Sequence, residues 1–270
     1  MSFSLAIHGG AGTIRPETMN SEIEAGYHAG LRTSLLAGHR VLAAGGSALD
    51  AVTTAVMALE DDPHFNAGRG AVYTSAGTHE MDAAVMDGRT RAAGAVAGVA
   101  GPRNPVLAAR AVMEKSEHVL LIAAGAEAFC REHGIDFAEP GYFDTDRRRA
   151  ALRAELERRR RAAPDTRDDA DRHGTVGAVA RDAAGNLAAA TSTGGMTGKL
   201  PGRVGDCPVF GAGTWADESC AISCTGHGEY FIRYAAAHDI ASRMRYLNET
   251  LEQAAARVVA ELGRTAVPAA

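Results

Sequence analysis

One junction constrains this chain more than any other feature. From about Glu139 to His173 the sequence is charged and poor in large apolar residues, with basic runs at Arg147–Arg149 and Arg158–Arg161 and an acidic pair at Asp168–Asp169. It then passes directly into Gly174 and the apolar run Thr175-Val-Gly-Ala-Val-Ala180. A segment with so few apolar side chains cannot offset its ordering entropy, so it reads as a helical stretch followed by a solvated, mobile linker over about 139–173. The run after it reads as a buried strand. The junction divides the chain into 1–174 and 175–270. Yet 270 residues at 46% hydrophobic composition suit a single domain with one large core, so the two parts are expected to fold together.

The order of elements narrows the fold class. Ser4 to Ile7 is a short buried strand that runs into the glycine-rich turn His8-Gly-Gly-Ala-Gly12. Asn20 to Ala44 has Ile23, Tyr27, Leu31, Leu35 and Leu42 near helical spacing and ends at Gly45-Gly46. Ser47 to Asp50 starts the next helix, which buries Val52, Ala55, Val56 and Leu59. After a loop at Asn66–Gly70, strands are expected at Ala71–Thr74, Met81–Met86 and Ala92–Val99, the last two joined at Asp87-Gly88. Asn104-Pro105 opens a helix to Glu114; a short strand at Val119–Ile122 and a helix to about Arg131 follow. Past the linker, Thr175–Ala180 and Leu187–Ser192 form a hairpin about the turn Asp182–Asn186. Strands near Val209–Gly211 and Cys220–Cys224 and helices at Gly228–Arg243 and Leu251–Leu262 complete the chain. Helices, strands, linker, strands, helices: this order suits an α+β fold with helices layered on stacked antiparallel sheets, not a Rossmann sheet.

Composition removes several function classes. Net charge is −5 and the basic runs carry interleaved acids without aromatics, so neither nucleic acid nor an anionic membrane is an expected partner. Met1–Gly10 has no basic n-region, and no apolar run is long enough to span a bilayer. The cysteines, Cys130, Cys207, Cys220 and Cys224, form no CxxC pair and read as reduced core thiols of a cytoplasmic protein. The ten histidines are scattered, which argues against a catalytic metal.

Taken alone, Gly174-Thr175 is an ordinary start to a strand, with a β-branched residue where one belongs. Its surroundings change that reading. The chain resembles the plant-type asparaginase and isoaspartyl peptidase family of N-terminal nucleophile hydrolases over nearly its whole length. The likeness is carried by His8-Gly-Gly-Ala-Gly12, Phe65-Asn-Ala-Gly68, Met81-Asp-Ala-Ala-Val-Met-Asp-Gly88 and Gly174-Thr-Val-Gly-Ala-Val-Ala180. It continues through Thr191-Ser-Thr-Gly-Gly-Met196, Pro201-Gly-Arg-Val-Gly-Asp206 and Ser223-Cys-Thr-Gly-His-Gly-Glu229. Each motif is weak alone; seven in order are a specific signal.

The resemblance implies a four-layer αββα sandwich that cuts itself between Gly174 and Thr175. A threonine hydroxyl is a poor nucleophile and needs a base beside it. An N-terminal threonine carries its own in the freed α-amine, with a pKa of about 8. Thr193 is implied to sit beside that nucleophile. Thr191 shares its strand face, where a cross-strand threonine pair is the plainer reading. Thr225 and Gly226 are implied to form the oxyanion hole. Arg203 and Asp206 are implied to read the α-carboxylate and α-amine of an aspartyl substrate, for which an arginine fork and an aspartate are suited, with Gly228 lining the pocket and Asn66 near it. Where His227 stands the family often carries another small residue. The loop from Leu59 to Arg69 is implied to wrap a structural sodium ion with backbone carbonyls of Leu59, Glu60, Asp62, Phe65, Ala67 and Arg69, and no cofactor is implied for catalysis. The expected substrates are L-asparagine and β-aspartyl dipeptides, and the expected assembly is a dimer of αβ units. The rivals are glycosylasparaginase chemistry and a non-catalytic remnant. The second arises because the family continues past Leu262 with two further strands, so the sandwich is expected to lack its C-terminal strands and to have an open edge.

Overall fold

The computed structural model describes residues 2–11, 20–162 and 174–266. Its frame is a six-stranded sheet. The strands are β1 (Ser4–His8), β2 (Met81–Asp87), β3 (Ala93–Val99), β4 (Leu120–Ile122), β5 (Thr175–Arg181) and β6 (Leu187–Thr193), in the order β1-β5-β6-β2-β3-β4. Neighbours are antiparallel except β3 and β4. The two strands that follow the junction therefore lie inside the sheet, flanked by strands from the first part of the chain.

One face of this sheet is covered by α2 (Ala48–Glu60) and α3 (Pro105–Lys115), with α1 (Ser21–Ala43) packed on α2, and α4 (Ala123–Glu132) follows β4 and packs on β3. Ser47 caps α2 by accepting the Asp50 amide at 3.1 Å. Val52, Val56 and Leu59 of α2 are fully buried, each stabilising the fold by about 1.5–3 kcal/mol. Of the large apolar residues of α1 at helical spacing, Leu42 is buried and Tyr27 and Leu31 pack partly buried on the core, while Ile23 and Leu35 are exposed. Gly30, Ser34 and Gly38 complete the buried face. The cause is close approach: a Cβ at Gly38 would lie 2.9 Å from the Ala51 carbonyl, and Ser34 donates to the Ala55 carbonyl at 2.8 Å.

On the other face lies a two-stranded sheet, β7 (Thr214–Ala216) and β8 (Ala221–Ser223), touching β2, β5 and β6. Small residues such as Ala189 and Ala216 meet Met86 in the contact. The helices α6 (Gly228–Tyr234), α7 (Ala236–Leu247) and α8 (Leu251–Ala266) share a core with this hairpin, built from Cys220, Ile222, Ala237, Ile240, Ala254 and Val258. The helix expected over Gly228–Arg243 is broken at Ala235, whose φ is +47°.

Two expected strands are absent. Ala71–Thr74 is buried but irregular, because its amides are used locally: Val72 donates to Asn66 Oδ1 and Ala71 to the Gly68 carbonyl. Val209–Gly211 is a turn that leads into β7. The helical stretch expected in the charged segment is present. Residues Asp146–Arg160 form α5, capped by Thr145, with Arg148 and Glu155 buried. Arg148 Nε donates to the Gly70 carbonyl at 2.7 Å, and Glu155 accepts from Arg158 and Arg159. Residues 163–173, where the rest of the expected linker falls, lie outside the described residues. No helix among the described residues is long and apolar enough to cross a membrane.

Candidate active site

Thr175 is the first residue of β5 and is buried, directly opposite Thr193 of β6. Strand alternation turns both side chains to the same face, so register alone places one hydroxyl beside the other. Thr175 Oγ1 lies 3.3 Å from Thr193 Oγ1. Thr193 Oγ1 in turn donates to the Gly174 carbonyl at 3.0 Å and accepts the Gly195 amide at 2.9 Å. The carbonyl of the Gly174–Thr175 bond is thus polarised by a hydroxyl held in place by a backbone amide. Gly174 packs on Asn66, where a Cβ would come within 3.1 Å of the Asn66 Cβ.

A small pocket opens over this pair. Its walls include Thr175, Thr193, Arg203, Asp206, Gly226 and Gly228. Arg203 is held from behind by Glu229, which accepts from Nε at 3.0 Å and from Nη2 at 2.9 Å. This bidentate fork fixes the guanidinium plane. Asp206 is buried, and its Oδ2 has no hydrogen-bond partner among the described residues. Burial pushes its carboxyl up to about 6, against the pull of the Asp206 amide and the Arg203 charge. A buried carboxylate oxygen without a donor, beside a fixed guanidinium, suits a ligand bearing both an ammonium and a carboxylate. Gly228 leaves the room this needs, since a Cβ there would lie 2.7 Å from Asp206 Oδ1 and 3.0 Å from Arg203 Nη2.

Thr225 lies one residue before the pocket wall at Gly226. Its Oγ1 accepts the Ala11 amide at 3.0 Å, which leaves the hydroxyl hydrogen to be donated elsewhere. Gly226 has φ +149°, a conformation open to glycine. Asn66 does not line the pocket. Its side-chain amide is spent on the Gly195 carbonyl (2.7 Å) and the Val72 amide (3.0 Å), so it buttresses the loop behind Thr193. His227 is at the rim, with Nε2 3.1 Å from Glu229 Oε2.

The segment from Leu59 to Arg69 is a tight loop. Its side chains point elsewhere: the Glu60 carboxyl accepts from Ser192 and the Val106 amide, Asp62 holds His64, and Arg69 lies over Tyr142. The carbonyls of Leu59, Asp62 and Ala67 each accept an amide within the loop. Those of Glu60 and Phe65 crowd the space where Gly68 and Gly70 lack side chains. The side chains of this loop are thus engaged elsewhere and offer no ligand set for a cation among the described residues, which leaves only backbone oxygens for one.

Two contributors carry no role in the sequence reading. Glu229, which sets Arg203, is one residue past Gly228 on the first turn of α6, and only the fold reveals that it reaches back. The second is a set of hydroxyls beneath the pocket, treated below.

A family model described as asparaginase matches residues 1–267 of the chain. The chain belongs to this family. Among similar proteins, the isoaspartyl peptidase of Salmonella typhimurium is 54% identical over 95% of this chain and 83% of its own length. That of Escherichia coli is 52% identical over 95% of this chain and 81% of its own length. The plant-type L-asparaginase of Thermococcus kodakarensis is 44% identical over 90% of this chain and 79% of its own length.

Proposed function

We propose that this chain hydrolyses the side-chain amide of L-asparagine and of β-aspartyl dipeptides, with Thr175 as an N-terminal nucleophile freed by self-cleavage. The observation that carries the reading is the pocket in which Thr175, the Asp206 carboxylate with its unpartnered Oδ2 and the Glu229-held Arg203 converge. In maturation, Thr175 Oγ1 attacks its own upstream carbonyl, that of Gly174, while Thr193 donates to the carbonyl oxygen. The C–N bond breaks, the acyl group passes to oxygen, and water hydrolyses the ester. Gly174 keeps the new carboxylate and Thr175 the free amine. In turnover, Arg203 takes the substrate's α-carboxylate and Asp206 its α-ammonium, which aims the side-chain carbonyl at Thr175. The α-amine accepts the hydroxyl proton, Thr225 and the Gly226 amide receive the oxyanion, ammonia or an amino acid leaves, and water releases aspartate.

The finer architecture belongs to the same reading. The helices on the six-stranded sheet and those on the β7–β8 hairpin stand as the outer layers of an αββα sandwich. The loop from Leu59 to Arg69 holds sodium with its carbonyls, and two αβ units pair, which light scattering would measure. The four buried thiols, none in a disulfide among the described residues, support a reducing compartment such as the cytoplasm.

The test is maturation and turnover together. On a denaturing gel the chain is expected to give two fragments, the smaller beginning Thr-Val-Gly, with release of aspartate from asparagine. Thr175→Ala is expected to stay uncut and inactive. An intact chain that still turns over asparagine would overturn the mechanism.

A further inference from the structure

One layer beneath the pocket runs a row of buried hydroxyls between the two sheets. His8 Nε2 lies 2.8 Å from Ser223 Oγ, Ser223 Oγ lies 2.8 Å from Thr191 Oγ1, and Thr214 Oγ1 lies 2.7 Å from Thr191 Oγ1. Thr214 Oγ1 is also 2.9 Å from the Cys207 carbonyl. Thr191 and Thr214 are fully buried, Ser223 is half-buried, and the second ring nitrogen of the histidine, Nδ1, is buried with no hydrogen-bond partner among the described residues. Gly177, paired with His8 across β1 and β5, supplies the space: a Cβ there would overlap Ser223 Oγ and come within 2.5 Å of His8 Nε2.

The row shadows the reaction centre residue for residue. Gly177 is two positions from Thr175 on β5, and Thr191 is two from Thr193 on β6, so each pair shares a strand face. Ser223 is two positions before Thr225, and Cys207 adjoins Asp206. The nucleophile, its partner hydroxyl, the oxyanion donor and the ammonium anchor come from four separate segments. The row hydrogen-bonds near neighbours of the last three to one another, and His8 at its end is the sheet partner of Gly177 on the nucleophile's strand. Its chemistry is consistent with a fixed arrangement. Burial holds the His8 imidazole neutral, its pKa lowered to about 4. A neutral ring offers one donor and one acceptor, and each hydroxyl can donate once and accept, so a single run of hydrogen bonds can join them.

We propose that the His8–Ser223–Thr191–Thr214 row is a positioning network that sets the distance between the Thr175 nucleophile and the oxyanion and substrate-binding loops. It touches no reacting atom. This rests on the reading of Thr175 as nucleophile. The network acts through geometry, and a misplacement of about 1 Å can cost roughly a hundredfold in rate.

Thr191 gives the sharpest test, because valine has its shape without its hydroxyl and serine has its hydroxyl with less bulk. Thr191→Val, Thr191→Ser and the parent are compared by extent of self-cleavage, kcat and KM for asparagine, and melting temperature. In matured Thr191→Val, kcat is expected to fall about ten- to a hundredfold with KM within about threefold of the parent, and Thr191→Ser to stay within about threefold in both. Parental kcat in Thr191→Val overturns the proposal. So does an equal loss in the two variants, which would mean that bulk matters and the hydroxyl does not. If Thr191→Val is not cut, Ser223→Ala is judged by the same values. A chain that melts like the parent but does not cut supports the proposal, since cleavage uses the same hydroxyl. Failure of both variants to fold assigns the row to stability alone and overturns it. A parent that neither cuts nor hydrolyses asparagine overturns the reading of Thr175 instead.

Discussion

Asp206 concentrates the conflict between folding and binding in one carboxyl. In the folded chain its pKa is about 6, and in an unfolded chain 3.8. Below pH 3.8 the carboxyl is protonated in both states and has no effect. Between 3.8 and 6 the unfolded chain ionises while the folded one does not, so stability declines as pH rises. Above about pH 6 both are ionised and the cost is constant, at up to roughly 3 kcal/mol. Asp206→Asn is therefore expected to raise the melting temperature at pH 7.5 and to leave it nearly unchanged at pH 4. The same variant should lose capture of asparagine, seen as a large rise in KM, because an amide does not balance an ammonium. A melting temperature at pH 7.5 no higher than the parent's would show that the carboxylate is not under strain. Most of the pocket was legible in the sequence, because Thr175, Thr193, Arg203, Asp206, Gly226 and Gly228 sit in short glycine-rich motifs. What was not legible is what holds them. His8 meets Ser223 across 215 positions of sequence, and no local pattern encodes such a pair.

At the scale of elements, α1 shows how a periodic sequence can mislead. Its leucines recur at helical spacing, which gives the helix, but its buried stripe is Gly30, Ser34 and Gly38 together with Leu42, and Leu35 is exposed. Short side chains let α1 approach α2 closely enough for Ser34 to reach a main-chain carbonyl. Gly38→Val is expected to force the helices apart and cost about 1–3 kcal/mol. Leu35→Ala, on the exposed side, is expected to change stability by less than about 0.5 kcal/mol. Urea denaturation of the two variants measures both, and a larger loss at Leu35 would restore the face suggested by spacing. The strands that hydrophobic pattern placed well are those of the large sheet, whose amides pair with one another. It failed at Ala71–Thr74, where an asparagine side chain and a turn take the amides that a ladder would use. At α5 the helix is legible in the charged sequence, but the burial of Arg148 and Glu155 is not.

The whole molecule interleaves its two parts. β5 and β6, from beyond the junction, lie between β1 on one side and β2 on the other. A cut before Thr175 would therefore leave both fragments laced into one sheet. They are expected to co-elute on a native column and to melt in one transition, parting only in denaturant. Elution of the two as separate peaks in buffer would contradict this arrangement. Before the cut, β5 enters its slot as part of the same chain, at the high effective concentration a tether provides. After the cut, a denatured sample must find that slot by collision between two molecules, and β1 and one edge of β2 stand unpaired while they wait. Refolding of the mature form should then slow on dilution, while refolding of uncut Thr175→Ala should not. Maturation would make folding a one-time event, and the finished protein would depend on never coming apart.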